Sequence, residues 1–521
     1  MKTQISRPAL TPDVCAGRRK KFLKRLPKGS VAIIVTNPER TRSNDTEFPY
    51  RASSDMIYLT NFKEPEAVAV FVKGESKGKK KTQSKAKNRF IMFVRPKDIE
   101  QEIWTGVRTG AEGAVSQFGA NEGYTIDQFD AIMKPLLAEA KQVYYRFDRN
   151  EQWDQQFRPL WSKKQKPLIN PEEILHEMRL VKSAAEIAIM RHAGAISAAS
   201  HVEAMRLTKP GMMEYQIQAW MEAIFRFNGA SFPAYGGIYG GGKNATCLHY
   251  QENSDELKDG DLLLIDAACE YDHFAADITR TFPVNGKFSK AQREIYQIVL
   301  DGQKAGIAAA QPGVSLTDLH EAASNTMRAG LVKLGLLPKS HLTAAGEAKA
   351  VEAWQKKADN SKKSKKGEES KKSKTVADKG PLTLHDIFMH GIGHWIGMDV
   401  HDVGCYGVNG QDTVPKNPAS RNRPLVVGNA ITVEPGIYIM VSETRVPKKY
   451  RGIGVRIEDD LVITKGGNEV VTAGVPKEIA EIEAIMASAR ASDHEIDGQF
   501  ASRSLSLISA QAWSQNIIHS P

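Results

Sequence analysis

The chain has 521 residues, 41% of them hydrophobic and 25% charged, with four cysteines and a formal net charge of +10. That length exceeds one ordinary core, and the composition is that of a folded globular protein of two or more domains, which excludes a disordered or fibrous chain. The excess charge is local: residues 73–89 hold seven Lys and one Arg against one Glu, residues 356–379 hold ten Lys against four acids, and the remainder is slightly acidic. Such Lys/Ser/Gly-rich runs read as solvated insertions, so nucleic acid is not the expected partner.

Residues 1–8 lack the apolar stretch of a secretory signal, and no run approaches the ~18 apolar residues of a spanning helix. The expected location is therefore the cytoplasm, with no membrane contact. Cys15, Cys247, Cys269 and Cys405 lie far apart without CxxC spacing, against a disulfide framework or a zinc–thiolate site. Up to residue 170, strand-like runs at 31–35, 67–72 and 90–94 mix with a helical pattern over 128–141. This predicts a small α/β domain, 1–170, interrupted by the Lys-rich insertion at 73–89. Two prolines within 166–171 mark a linker.

Ser183 and Glu186 then form a capping-box pattern ahead of a helix whose apolar face includes Ile189, Ala193 and Ile196. Helical stretches at 183–207, 214–228, 288–310 and 316–335 alternate with strand pairs around 246–250, 262–282, 430–440 and 453–464. Strand pairs joined by short turns, with helices grouped between them, predict an α+β arrangement with an antiparallel sheet. The expected second domain spans 171–490 and carries the other Lys-rich insertion at about 352–380. Residues 491–521, Ser-rich and weakly patterned, read as a mobile tail.

Within the second domain, LLLIDAACEYDHFAADITRTF (262–282) places Asp266 at the end of an apolar run and Asp277 at the start of a run rich in β-branched and aromatic residues. A turn centred on Tyr271 and Asp272 would set the two aspartates face to face across a hairpin. Like charges so placed repel, and one pKa rises unless a cation lies between them. The commoner outcome for an arbitrary Asp pair is a turn cap and a solvated acid.

Downstream, FMHGIGHWIGMDVHD holds His390, His394 and His401, ITVEPGIY holds Glu434, and GIGVRIEDDLVIT holds Arg456 and Glu458. Glycines at 391, 393 and 397 disfavour a helix and suggest backbone closely approached by another group. Glu434 and Glu458 each fall in an apolar strand pattern, where an unpaired buried carboxylate would cost several kcal/mol. Taken singly, each has an ordinary structural role. Together, two Asp, one His and two Glu make an oxygen-rich set with one imidazole, suited to a pair of divalent metals, and Arg456 stands on the strand face of Glu458, able to orient the carboxylates.

The order Asp266, Asp277, His394, Glu434, Glu458, within IDAACEY, DITRTFPVNGKF, HGIGHW, VEPGIY and RIEDD, resembles the pita-bread metallopeptidases, and among them the aminopeptidase P (Xaa-Pro aminopeptidase) branch. The similarity extends to SNDTEFPYRASSDMIYLTNFKEPEAV and EIWTGVRTG near the N-terminus. It implies an α+β pita-bread (creatinase/aminopeptidase-like) catalytic domain preceded by the smaller α/β domain, and an exopeptidase that releases the first residue from peptides with proline second. It further implies two divalent metals, Mn2+ first with Co2+ or Zn2+ as alternatives, and a hydroxide between them as nucleophile. Asp266, Asp277, His394, Glu434 and Glu458 would be the ligands, with Asp277 and Glu458 bridging and Glu434 moving the proton. His249 and His401 match histidines that contact the scissile carbonyl or leaving nitrogen. His390 would line the proline pocket, Tyr438 and Arg456 join it as substrate-binding groups, and Trp104 matches an aromatic that reaches a neighbouring subunit's site. A homo-oligomer, dimer or tetramer, is implied.

Two rivals follow from the same residues. A prolidase shares fold and ligands but needs a cation for the carboxylate of an Xaa-Pro dipeptide, and Arg421 and Arg423 lie in the long loop between His401 and Glu434. A metal-free pita-bread scaffold would bind protein or nucleic acid through the Lys runs.

Overall fold

The structure, a computed structural model, describes residues 7–75, 87–162, 166–364, 380–408 and 421–491. Residues 76–86 and 365–379, which make up much of the two Lys-rich insertions, and 492–521 of the expected tail lie outside the described residues. The chain divides into two compact units, Met1–Arg179 and Leu180–Pro521.

In the first unit the β-branched and aromatic runs form strands β1 (Ser30–Val35), β2 (Val68–Val72), β3 (Arg89–Val94), β4 (Glu122–Thr125), β5 (Gln142–Tyr144) and β6 (Leu168–Ile169). They make one mixed sheet in the order β4-β3-β2-β1-β5-β6. Alternate residues Val31, Ile33, Val68, Val70, Ile91 and Phe93 are buried against Phe129, Met133 and Leu137 of the helix Phe129–Glu139, the period of two on strands meeting the four-residue step of a helix face. The division falls between Arg179 and Leu180 and not after residue 170. The reason is local: Leu168–Ile169 joins the sheet edge instead of acting as a free linker, and the helix Glu172–Arg179 is tied back by Arg179 to Asp55 (2.9 Å) and by Tyr58 Oη, which donates to the Met178 carbonyl (3.1 Å).

The second unit is α+β with antiparallel ladders. Its helices Ala184–Leu207, Glu214–Phe227, Lys290–Ala309 and Leu316–Lys333 lie where the apolar periodicity puts them. The Ser183 capping box is formed, the Ser183 N–H donating to Glu186 Oε2 at 2.7 Å. Strands β7 (Ile238–Gly241), β8 (Leu262–Asp266) and β11 (Thr279–Pro283) form one sheet, while β9 (Cys269–Tyr271) and β10 (Phe274–Ala275) continue the same hairpin in another. Further on, β12 (Ala430–Val433) pairs with β15 (Asp459–Thr464), and β13 (Gly436–Ile439) with β14 (Ile453–Arg456).

Two expectations are corrected. Residues 246–250 are not a strand; a 3-10 turn, Gly242–Thr246, and a loop take their place, held by the buried carboxylate of Glu214. It accepts from the Gly241 and Asp255 N–H groups, Asn244 Nδ2 and Tyr250 Oη, drawing the chain out of any ladder. The hairpin turn centres on Asp272 and His273, both at positive φ (43° and 68°), not on Tyr271 and Asp272. Asp266 therefore faces Thr279, and Asp277 is its diagonal neighbour. Because side chains alternate with a period of two, a partner shifted by two residues keeps its face. Both aspartates still look into the same space.

Candidate metal centre

The four acids of the expected site share a topological position. Asp266 closes β8 where the hairpin leaves one sheet, and Asp277 lies in the gap before β11 where it returns. Glu434 and Glu458 occupy the breaks between β12 and β13 and between β14 and β15, so they are not in mid-strand as the apolar pattern suggested. Freed from their own ladders, their N–H groups donate to Ile392 and Thr279 carbonyls at 2.8 and 3.0 Å. His394 comes from the glycine-rich segment, which is laid antiparallel along β12: its N–H donates to Thr432 Oγ1, its carbonyl accepts from the Thr432 N–H, and Trp395 bridges Ile431. A Cβ at Gly393 would overlap the Thr432 carbonyl oxygen, which is the close approach the glycines foretold.

These residues converge. His394 Nε2 lies 3.4 Å from Asp277 Oδ2 and 3.6 Å from Glu434 Oε1, and ligand atoms of Asp277, His394 and Glu458 all fall within 4.8 Å of one another. His394 Nδ1 is 3.0 Å from the Trp395 carbonyl, which favours the tautomer with Nε2 turned toward the carboxylates. Tyr235 Oη sits 2.6 Å from Asp266 Oδ1 and 2.5 Å from Asp277 Oδ1, tying the diagonal pair together. Burial raises Asp277 above the ordinary carboxylate range, helped by the charge of Asp266 and opposed by His394. Burial likewise lifts Glu434 to about 7 against the pull of His394, with Asp277 adding to the rise, and carries Glu458 well above its usual value with Asp277 and Glu434 adding to it. At His394 burial pulls downward, but the hydrogen bond to Asp277 and the charge of Glu434 win and raise it to about 9.

This is the electrostatic signature of carboxylates packed for a cation: four acids and one imidazole in a space where anions repel and water is scarce. The donor set fits a hard or borderline divalent metal and does not resemble a thiolate site. Among the described residues a second metal-ligating group, Asp55, Glu172 and His176, lies in the first unit, but its acids are already matched by Arg179, Arg146 and Arg149.

Around the centre, Arg456 is buried and donates through Nη2 to Asp266 (2.6 Å), through Nη1 to Tyr438 Oη (2.9 Å) and through Nε to Thr279 Oγ1 (3.0 Å). Thr279 Oγ1 in turn donates a hydrogen bond to Glu458 Oε2 at 2.7 Å. Arg456 thus contacts Asp266 directly and reaches Glu458 through the Thr279 hydroxyl. Tyr235, Thr279 and Asp460, whose Oδ2 accepts from the Asp277 N–H (2.9 Å), were not found by sequence reasoning. Only Asp460, the second aspartate of RIEDD, offered any signal. Behind them Arg280 and Asp459, both fully buried, pair at 2.7 Å.

The remaining expected residues divide. His401 stacks on His394, ring centroids 4.0 Å apart and 18° from parallel. His390 is engaged at both nitrogens, Nδ1 with the Gly391 carbonyl (2.8 Å) and Nε2 with Tyr438 Oη (2.9 Å), and burial with the charge of Arg456 holds its pKa down to about 3. His249 is exposed and close enough for its charge to lower His390 and His401. Trp104 is not among the gathered groups; it lies in the first unit, 84% exposed, on the helix Ile99–Thr105.

Residues 188–465 match the profile of metallopeptidase family M24. The chain belongs to that family. Residues 15–144 of this M24 chain match the aminopeptidase P N-terminal domain. It is 39% identical over 483 residues to an Xaa-Pro aminopeptidase of Escherichia coli (strain K12), covering 91% of this chain and 97% of the relative. Among solved structures, an aminopeptidase of Pseudomonas aeruginosa is similar with a TM-score of 0.79 and 40% identity, covering 93% of this chain and all of that one. A glutamate-to-alanine variant of E. coli aminopeptidase P in complex with substrate superposes with a TM-score of 0.78 at 38% identity, covering 93% of this chain and all of that one. Among the described residues, no helix of the M24 chain is long and apolar enough to cross a membrane.

Proposed function

We propose that the chain is a metal-dependent Xaa-Pro aminopeptidase, releasing the first residue from peptides with proline second. The observation that carries this is the convergence of Asp266, Asp277, His394, Glu434 and Glu458 in a chain that matches both family M24 and the aminopeptidase P N-terminal domain. Those five residues would hold two divalent cations, Mn2+ being the proposed ion on an oxygen-rich donor set with one imidazole, and Co2+ or Zn2+ the alternatives. When bound, the cations supply Lewis acidity to the scissile carbonyl and to the attacking water.

The protein's own groups do the rest. Cleaving the X-Pro bond releases the proline nitrogen as a secondary amine, so a proton must be delivered to it. Glu434, with 19% of its side chain exposed against 7% for Asp277, is open enough to take a proton from water and pass it to that nitrogen. His401 and His249 steady the carbonyl oxygen or the leaving nitrogen. With both nitrogens occupied, His390 offers its ring and not a lone pair, which suits a rigid wall of a proline pocket, and Tyr438 and Arg456 brace it. The proposal extends to a cytoplasmic location, supported by four free thiols, and to a dimer or tetramer. The latter is supported by Ile99, Ile103, Trp104 and Val107, exposed by 81%, 77%, 84% and 83%, with Trp104 reaching a neighbouring subunit's site.

Against the prolidase reading, Arg421 Nη1 already donates to the Gly393 carbonyl at 2.6 Å and its guanidinium lies over Tyr406. The test is to strip the metal, restore Mn2+, Co2+ or Zn2+ separately, and compare an Xaa-Pro-Pro peptide with an Xaa-Pro dipeptide. Inactive metal-free protein, recovery with Mn2+ and preference for the longer peptide are expected. Preference for the dipeptide overturns the assignment, and inactivity with every metal together with steeply salt-dependent nucleic-acid binding would favour the scaffold reading.

A further inference from the structure

We propose that the buried Lys182–Asp402 ion pair is a positioning device for His401, setting the imidazole that stacks on the ligand His394. The inference rests on the catalytic reading of His401 given above.

Lys182 stands just before Ser183, the N-cap of the helix Ala184–Leu207. Its Nζ lies 2.9 Å from Asp402 Oδ2, and each side chain is 1% exposed. Backbone contacts fix both ends: the Lys182 N–H donates to the Gly428 carbonyl (2.7 Å) and the Asp402 N–H to the Trp395 carbonyl (2.8 Å). The latter closes the segment 395–402 into a loop. Within it, a Cβ at Gly397 would overlap the Asp402 carboxylate and press on the Lys182 stem, so the pair fills the loop without slack. The Gly397 carbonyl accepts from the Ala275 N–H (2.8 Å), joining the loop to the hairpin that carries Asp277.

His401 is the residue immediately before Asp402 and is itself exposed, yet its ring lies flat on that of His394. An exposed side chain keeps one orientation only if its backbone is held from elsewhere, because ordering it costs rotamer entropy. Asp402 is the anchored neighbour. Stability alone does not require an ion pair there, since a buried pair replaced by apolar groups of similar volume is often neutral or better. What an apolar pair lacks is direction: the charged contact fixes where the Asp402 side chain points, and hence the backbone on which His401 is carried. Lys182 Nζ is paired with Asp402 and not with a proposed ligand, so it acts through His401.

The experiment is a mutant cycle on the metal-loaded, full-length protein, with kcat and KM measured on an Xaa-Pro-Pro peptide and metal dissociation constants measured by titration. His401→Ala should lower kcat by roughly 100- to 1,000-fold, the range for losing one stabilising contact to the reacting carbonyl. The apolar replacement Lys182→Met with Asp402→Leu should lower kcat about 10-fold or more, leaving KM within about twofold and metal affinity unchanged. Added to His401→Ala, it should cost less than about a further twofold, because coupled residues do not lose independently. Losses that multiply, or a loss explained by weaker metal binding, overturn the inference. If His401→Ala itself is fully active, the catalytic reading of His401 fails instead. Should the apolar pair not fold, Asp402→Asn, which keeps shape and an acceptor, is carried through the same cycle with the same two outcomes.

Discussion

Thr279 offers a sharp test of how the acids are held. Its side chain is fully buried, accepts from Arg456 Nε at 3.0 Å and donates to Glu458 Oε2 at 2.7 Å. Thr279→Val keeps the shape and removes both contacts. Hydrogen bonds to charged groups are worth about 1.5–3 kcal/mol each. Arg456 retains Tyr438 and Asp266 as partners, so the loss should sit toward the low end, about 3–4 kcal/mol for the metal-free protein. With metal bound, Glu458 must also be aimed at its cation, so the deficit grows. The added loss shows as metal affinity weakened by about 10- to 100-fold, as for other groups that orient metal ligands. Thermal unfolding of metal-free and metal-loaded protein, with metal titration, separates the two effects. Thr279→Ser keeps the hydroxyl and should restore most of the affinity. A Val variant that melts and binds metal like the parent would refute the proposed line from Arg456 to Glu458.

Asp277→Asn should reduce peptidase activity at least ~100-fold while the metal-free protein melts no lower than the parent. The substitution keeps the bond from the residue 277 N–H to Asp460 and relieves repulsion with Asp266; full activity would remove Asp277 from the metal site. In the first unit, burial pushes Asp55 upward, but the His176 hydrogen bond and the Arg179 charge outweigh it and lower the pKa to about 2. A depressed carboxylate contributes stability that is present above the unfolded value near ~3.9 and is lost as pH falls through the folded one. Denaturant unfolding from pH 5 to pH 2 should show about 2 kcal/mol of acid-dependent loss that Asp55→Asn abolishes; an unchanged pH slope in the variant would discard this account.

Much of the fold was legible because it depends on near neighbours in sequence. Apolar spacing located the helices from Ala184 to Lys333, and β-branched runs located β1 to β3 and the hairpin strands. Where a distant group intervened, the reading slipped. Residues 246–250 were drawn from a strand by Glu214, and the hairpin turn moved by one residue to Asp272 and His273. That second slip was harmless to the site because a two-residue change of partner conserves the face. The identities of Asp266, Asp277, His394, Glu434, Glu458 and Arg456 could be picked out beforehand, since acids and an imidazole in apolar surroundings demand an explanation wherever they occur.

What the chain alone could not disclose is who compensates whom. Tyr235 reaches Asp277 across 42 positions, Thr279 reaches Glu458 across 179, and Asp460 accepts from Asp277 across 183. None of these pairings leaves a periodic trace. Sequence by itself determined most of the helices and strands and the residue types of the centre, because these follow from local conformational preference and from the cost of burying charge. Only the tertiary structure decided that the four acids stand where strands change sheets, and that Lys182 and Asp402 meet beside His401. Those choices are settled by packing and charge pairing between segments far apart in the chain.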